Sequence, residues 1–128
     1  MNEKSLKYFF DALSAARAIR KFANEKTYDD YCADDLLSSG IERKFEIIGE
    51  ALNRIKRAFP DDLNKISEWP AIIGFRNVLA HCYDHVEDSV VWGIVKNQIP
   101  EFIRELESLP GIEGEQTDGD NEDKCTEI

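Results

Sequence analysis

The chain has 128 residues, 42% of them hydrophobic and 33% charged, which suits one soluble domain able to bury a core without disulfides or metals. The net charge of −10 argues against non-specific nucleic-acid binding by the surface as a whole. Apolar runs of a few residues exclude a bilayer-spanning helix. The start, MNEKSLKYFF, mixes acid and base with no signal-peptide apolar stretch, so a cytoplasmic protein is expected.

The first helix is predicted from Leu6, Phe9, Leu13, Ala16, Ile19 and Ala23, which recur at steps of three and four and mark one buried face. Asn24 to Lys26 interrupts that pattern. Thr27 then suits the N-cap of a short helix holding Tyr28 and Tyr31, with Asp29 and Asp30 in its first turn. A break is expected around Ser38, Ser39 and Gly40. Beyond it Ile41, Phe45, Ile48, Leu52, Ile55 and Phe59 define a long amphipathic helix stopped by Pro60. Gly49 on that helix reads as a point of close helix packing.

After a polar connection, Pro70 suits the first turn of a helix running to about Ala80. The last long helix is predicted to start near Asp88 or Ser89. It carries Val91, Val95, Ile99, Phe102, Leu106 and Leu109 on one face, with a kink at Pro100. No stretch alternates with strand period, and no Gly-rich phosphate loop occurs. The expected fold is an all-α, up-and-down bundle of about five helices. Residues 1–109 form the body, and 110–128 a disordered acidic tail that carries −6 of the −10 charges. The body is therefore nearly balanced in charge, which leaves room for a local basic cleft.

Cys32, Cys82 and Cys125 are odd in number and far apart, with neither disulfide nor zinc spacing. Cys82 reads as a small filler rather than a nucleophile.

Polar groups concentrate in Arg76-Asn77-Val78-Leu79-Ala80-His81-Cys82-Tyr83. Arginine grips two phosphate oxygens in a bidentate fork, and histidine exchanges a proton near neutral pH. Residues 76 and 83 nearly share a helix face, whereas 76 and 81 are separated by about 140°. Convergence of Arg76 on His81 needs a helix end, a π-type bulge, or a second copy of the motif across a dimer interface. The competing reading of an Arg and a His so placed is a cap or salt bridge at a helix end. Glu50 is a secondary candidate: it could fix Arg76, although a surface or interhelix ion pair is the more ordinary use. Trp69 and Trp92 read as core or interface anchors, and Arg54, Lys56 and Arg57 as a solvated face.

The run RNVLAHCY resembles the Arg-x4-His-x-Tyr motif of the HepT-like toxins of the HEPN superfamily. FEIIGEALNRI resembles the family's Ile-Gly-Glu-Ala segment. The stretch from Phe59 through Trp69 to Trp92 resembles the family's path into the motif and the final helix. The likeness spans Leu6 to Leu109. It implies an all-α bundle that dimerises through the motif face, and a metal-independent ribonuclease with no cofactor. Arg76, His81 and Asn77 are then the catalytic residues. It also implies the toxin of a toxin–antitoxin pair, neutralised when a minimal nucleotidyltransferase transfers AMP to Tyr83. The alternative is a non-catalytic helical partner or nucleotide-binding subunit of a nucleotidyltransferase.

Overall fold

The computed structural model describes residues 2–67 and 88–112. Helix α1 spans Glu3–Ala23, opened by Asn2, whose side chain accepts the Lys4 N–H at 2.6 Å. Its inner face is the expected one, with Phe9, Ala12, Leu13, Ala16 and Ile19 fully buried. Asn24 ends the helix, and Glu25 takes a positive φ of 63° to turn the chain.

Thr27 and Asp30 then form a reciprocal capping box. The Asp30 N–H donates to Thr27 Oγ1 at 3.0 Å, and the Thr27 N–H donates to Asp30 Oδ2 at 2.9 Å. These bonds to the charged form hold the Asp30 carboxyl below its usual range. They start α2, Tyr28–Ala33.

Asp34 caps α3, which runs unbroken over Asp35–Ala58. The expected break at Ser38, Ser39 and Gly40 does not occur. Ser38 keeps its helical bond to the Asp34 carbonyl at 3.0 Å and also donates its hydroxyl to the Asp35 carbonyl. Gly40 faces α1, where a Cβ would stand 3.4 Å from the Phe22 ring, at van der Waals contact. That packing of α3 on α1 outweighs the low helix propensity of Ser-Ser-Gly. Phe22 meets Gly40 near one end of the pair, and Tyr8 meets Arg54 near the other, so α1 and α3 are antiparallel.

Pro60 stops α3 as expected, because the residue before a proline is pushed out of the helical region; Phe59 has φ −140° and ψ 61°. Pro60 also opens a short helix, α4, Pro60–Leu63. Leu63 and Ile66 anchor this connection in the core. Buried Ser5 donates its hydroxyl to Asp62 Oδ2 at 2.6 Å, tying α4 to the start of α1.

The last helical stretch begins at Asp88. Helix α5 covers Asp88–Gly93, a π-helical turn covers Ile94–Gln98, and α6 covers Ile99–Glu107. The irregularity expected at Pro100 thus lies just before it. Pro100 has no N–H and its ring crowds the carbonyl four residues back. The wider π turn, with the Ile99 N–H bonded to the Ile94 carbonyl, lets α6 restart with proline in its first turn. The wide turn keeps Val91, Val95 and Ile99 on the face shared with Phe102, Leu106 and Leu109, all of them buried.

Order continues past the expected body boundary at Leu109. Gly111 adopts φ 87° and turns the chain so that Ile112, 2% exposed, packs into the core. The predicted helix over 70–80 and the tail from residue 113 lie outside the described residues. The described elements form an all-α bundle with no strand among them.

Tyr31 packs between these elements, its ring 5.3 Å from that of Trp92. It is 1% exposed, and its hydroxyl has no hydrogen-bond partner among the described residues. Burial, first, and then Glu42 and Asp88 push the phenol pKa far up. An unpaired buried hydroxyl costs about 1–3 kcal/mol. Tyr31→Phe is therefore expected to raise stability by about 1 kcal/mol in urea unfolding; a loss of stability would show that the hydroxyl is satisfied in solution.

Glu42 supplies a pH test in the same region. Its carboxyl is pushed above the ordinary 4.5, chiefly by burial and then by Asp88 and Glu46. A carboxyl with a raised folded pKa penalises the folded state as pH rises from about 4.5 through that pKa, because the folded chain then holds the proton more tightly. Glu42→Gln should unfold at a higher temperature than the parent at pH 7, and the difference should vanish as pH falls to about 4. Equal melting shifts at both pH values would contradict this.

Candidate functional site

Four of the candidate residues, Arg76, Asn77, His81 and Tyr83, lie outside the described residues, as do Trp69, Cys82 and His85. The described residues show the frame from which the motif segment departs and to which it returns.

The described residues that precede the motif end at Ser67. Its N–H donates to Glu105 Oε1 at 3.0 Å and its hydroxyl donates to Oε2 of the same carboxylate at 2.5 Å. The preceding Ile66 is fully buried. Those that follow the motif begin at Asp88, in α5. One turn on, Trp92 is 9% exposed and packs against Tyr31 with the rings tilted 35°, and Lys96 Nζ lies 5.1 Å from its ring centre. The expectation that Trp92 is a packing anchor holds.

Glu50 sits on α3 between buried Gly49 and buried Ala51. Its own side chain is 56% exposed and accepts from Arg54 Nη2 at 3.1 Å, one helical turn on. This pair is an intrahelical surface ion pair; Arg76, the other partner that the sequence offers Glu50, lies outside the described residues. The guanidinium also lies 5.9 Å from the centre of the Tyr8 ring. The hydrogen bond from Arg54 to Glu50 pushes the guanidinium pKa up, and Tyr8 adds to that. Across from it on α1, the Asp11 carboxyl is pushed up by burial, against the opposing pull of Lys7 and Arg54. Positive and negative groups therefore alternate on this face, and the local charge nearly cancels.

Cys32 is exposed on α2 as a free thiol. Among the described residues no cluster of three or more His, Cys, Asp or Glu side chains could hold a metal ion. Among them, too, no helix is long and apolar enough to cross a membrane. Sequence reasoning missed Glu105. It lies 38 residues from Ser67 on another helix, and no local pattern joins the two.

Comparison with known proteins gives one consistent result. The model of the family described as ribonuclease HepT-like matches residues 12–109, a span that contains the whole Arg76–Tyr83 motif. A protein of Methanocaldococcus jannaschii whose name assigns it as an RNase is 31% identical over 119 residues, covering 90% of this chain and 96% of its own length. A second from the same organism, with the same kind of name, is 29% identical over 84% of this chain and 98% of its own. A protein of Thermococcus cleftensis, assigned by its name as a ribonuclease HepT, is 30% identical over 80% of this chain and 92% of its own. No solved structure matches the chain significantly. The family match covers most of the helical body, and the relatives align over nearly their whole lengths: this chain belongs to the HepT-like ribonuclease family.

Proposed function

We propose that this protein is a metal-independent endoribonuclease, the toxin of a toxin–antitoxin pair, with Arg76, Asn77 and His81 as its catalytic residues. The observation that carries the reading is the Arg-Asn-x3-His-x-Tyr sequence at residues 76–83, inside the span matched by the family. Those residue types supply what phosphodiester cleavage by an internal nucleophile needs.

In the proposed reaction the RNA 2′-oxygen attacks the adjacent phosphorus, and the imidazole of His81 takes the hydroxyl proton. The new bond joins the 2′-oxygen to phosphorus, and the bond from phosphorus to the 5′-oxygen breaks. The leaving oxygen collects a proton from an imidazolium, which His81 of a second copy supplies. An imidazole titrates near pH 6.5, so both protonation states are accessible. Such proton transfer contributes about 10²–10⁴-fold in rate. Arg76 holds the non-bridging oxygens and stabilises the charge that builds on them. Asn77 orients the imidazole or the phosphate.

The same site accounts for silencing. When a minimal nucleotidyltransferase acts as antitoxin, the Tyr83 oxygen bonds the α-phosphorus of an adenine nucleoside triphosphate, pyrophosphate leaves, and the phenol proton is lost. The attached AMP brings bulk and a negative phosphodiester to the place where RNA must bind.

Purified protein incubated with total RNA in EDTA should release fragments ending in 2′,3′-cyclic phosphate. His81→Ala and Arg76→Ala should each lose about 10²-fold or more of the cleavage rate while keeping the helical signal and elution volume of the parent. Glu50→Ala should retain most activity. Normal cleavage by purified His81→Ala would end the mechanism. A parent protein that never cuts RNA would instead favour the non-catalytic helical subunit.

A further inference from the structure

We propose that the groove between the end of α1 and the start of α3 is a docking site for a cationic, amphipathic segment of a partner protein, whose apolar anchor packs beside Leu36.

Phe22 of α1, the cap residue Asp34, and Leu36, Leu37 and Gly40 of α3 line a surface groove of about 360 Å³. Phe22 and Leu37 pack against the core from below, and Gly40 has no side chain to fill the space above them. Leu36 is 82% exposed, so it adds little to the core of this chain. A lone exposed leucine is ordinary on a protein surface. A leucine projecting beside a concave apolar wall that is itself fixed to the core is the form of groove that receives an apolar anchor from a partner.

Charge selects the occupant. Asp34 stands in the groove wall, where its Oδ1 accepts the Leu37 N–H at 3.0 Å and so has a fixed position. The adjoining residues 25–36 expose Glu25, Asp29, Asp30, Asp34 and Asp35 against Lys26 alone. Arg20, Lys21, Arg43 and Lys44 on the flanking turns are set against Glu42 and Glu46, and the surroundings stay net negative. Such a field repels RNA and anionic lipid. A two-fold pairing of the groove with itself would set Asp34 and Asp35 of one copy against the same acids of the other. Residues 113–128 hold seven acids and one lysine, so the chain's own C-terminal residues are repelled as well. The complement of this groove is a segment with a leucine-sized side chain and lysine or arginine next to it; the apolar contact supplies affinity, and the charges supply approach and selectivity.

The groove's occupancy does not depend on RNA cleavage, so the ribonuclease reading and this one stand or fall separately. The probe is a synthetic amphipathic helix of leucine and lysine, titrated into the isotope-labelled full chain, with a counterpart carrying glutamate for every lysine as control. The amide signals of Phe22, Leu36, Leu37 and Gly40 should shift with the lysine peptide and stay in place with the glutamate peptide. Leu36→Ser should weaken binding about tenfold or more at an unchanged melting temperature. Asp35→Asn should weaken it about two- to fivefold, whereas Glu3→Gln, at the far end of α1, should not. Binding by Leu36→Ser equal to that of the parent overturns the proposal. So does equal affinity for the two peptides, which would make the groove a plain apolar surface. Two further results would name a different occupant and overturn it too: a parent dimer that Leu36→Ser dissociates, or binding of the parent to phosphatidylglycerol vesicles that Leu36→Ser abolishes.

Discussion

The structure depends on the burial of one apolar stripe of α3 against α1. Ile41, Phe45, Ile48, Leu52 and Ile55 are fully buried, and each such side chain is worth about 1.5–3 kcal/mol when removed from water. The stripe needs an antiparallel partner of matching length, which α1 provides. The close approach at Gly40 and Phe22 follows from that pairing. So does the brief path from one helix to the other, where α2 is started by the Thr27 capping box and α3 by the Asp34 cap. Once α1 and α3 are locked, the last helical stretch has an apolar surface to close over, and its own face from Val91 to Leu109 is buried against it. The result is one core shared by α1, α3 and the last helical stretch.

Much of this frame was legible in the sequence because its signals are local. A stripe at 3.6-residue period, a Thr followed by two aspartates, and a proline after a periodic run each state a physical preference within one or two turns. The misreadings share one cause. Ser38, Ser39 and Gly40 have poor helix propensity, but the small size of Gly40 serves a contact with Phe22 on another helix. Ile112 looked like part of a polar tail, yet Gly111 at positive φ folds it back toward α1, where Leu6 lies close by. The strain around Pro100 was visible, whereas its resolution into the π turn over Ile94–Gln98 depends on keeping Val91, Val95 and Ile99 in line. In each case tertiary packing overrode a local preference.

The ribonuclease family was legible in a different way. Arginine, asparagine, histidine and tyrosine within eight residues name a phosphate-directed reaction by their functional groups, and the family match over residues 12–109 agrees with that naming. The long-range polar contacts were not legible. Glu105 has the same surroundings in sequence as any carboxylate of an amphipathic helix, and its distinction is the residue that it reaches, Ser67, 38 positions away. Functional groups are recognisable by residue type, while contacts between helices are recognisable only by place.

Charge sets the remaining constraint on the proposed reaction. RNA is a polyanion and the chain carries −10 overall, so attraction of the whole molecule cannot bring the two together. The Glu50–Arg54 and Lys7–Asp11 pairs show cations on the α1–α3 face held by neighbouring acids. Positive charge for RNA must then be concentrated where the reaction occurs, and Arg76 is the cation that the motif itself supplies. On a straight helix, however, Arg76 and His81 stand about 140° apart, too far round for one phosphodiester to touch both. In the proposed reaction, two copies related by a two-fold axis would meet both needs at once: they would double the cationic charge in one groove and supply the base and the acid that a transesterification requires.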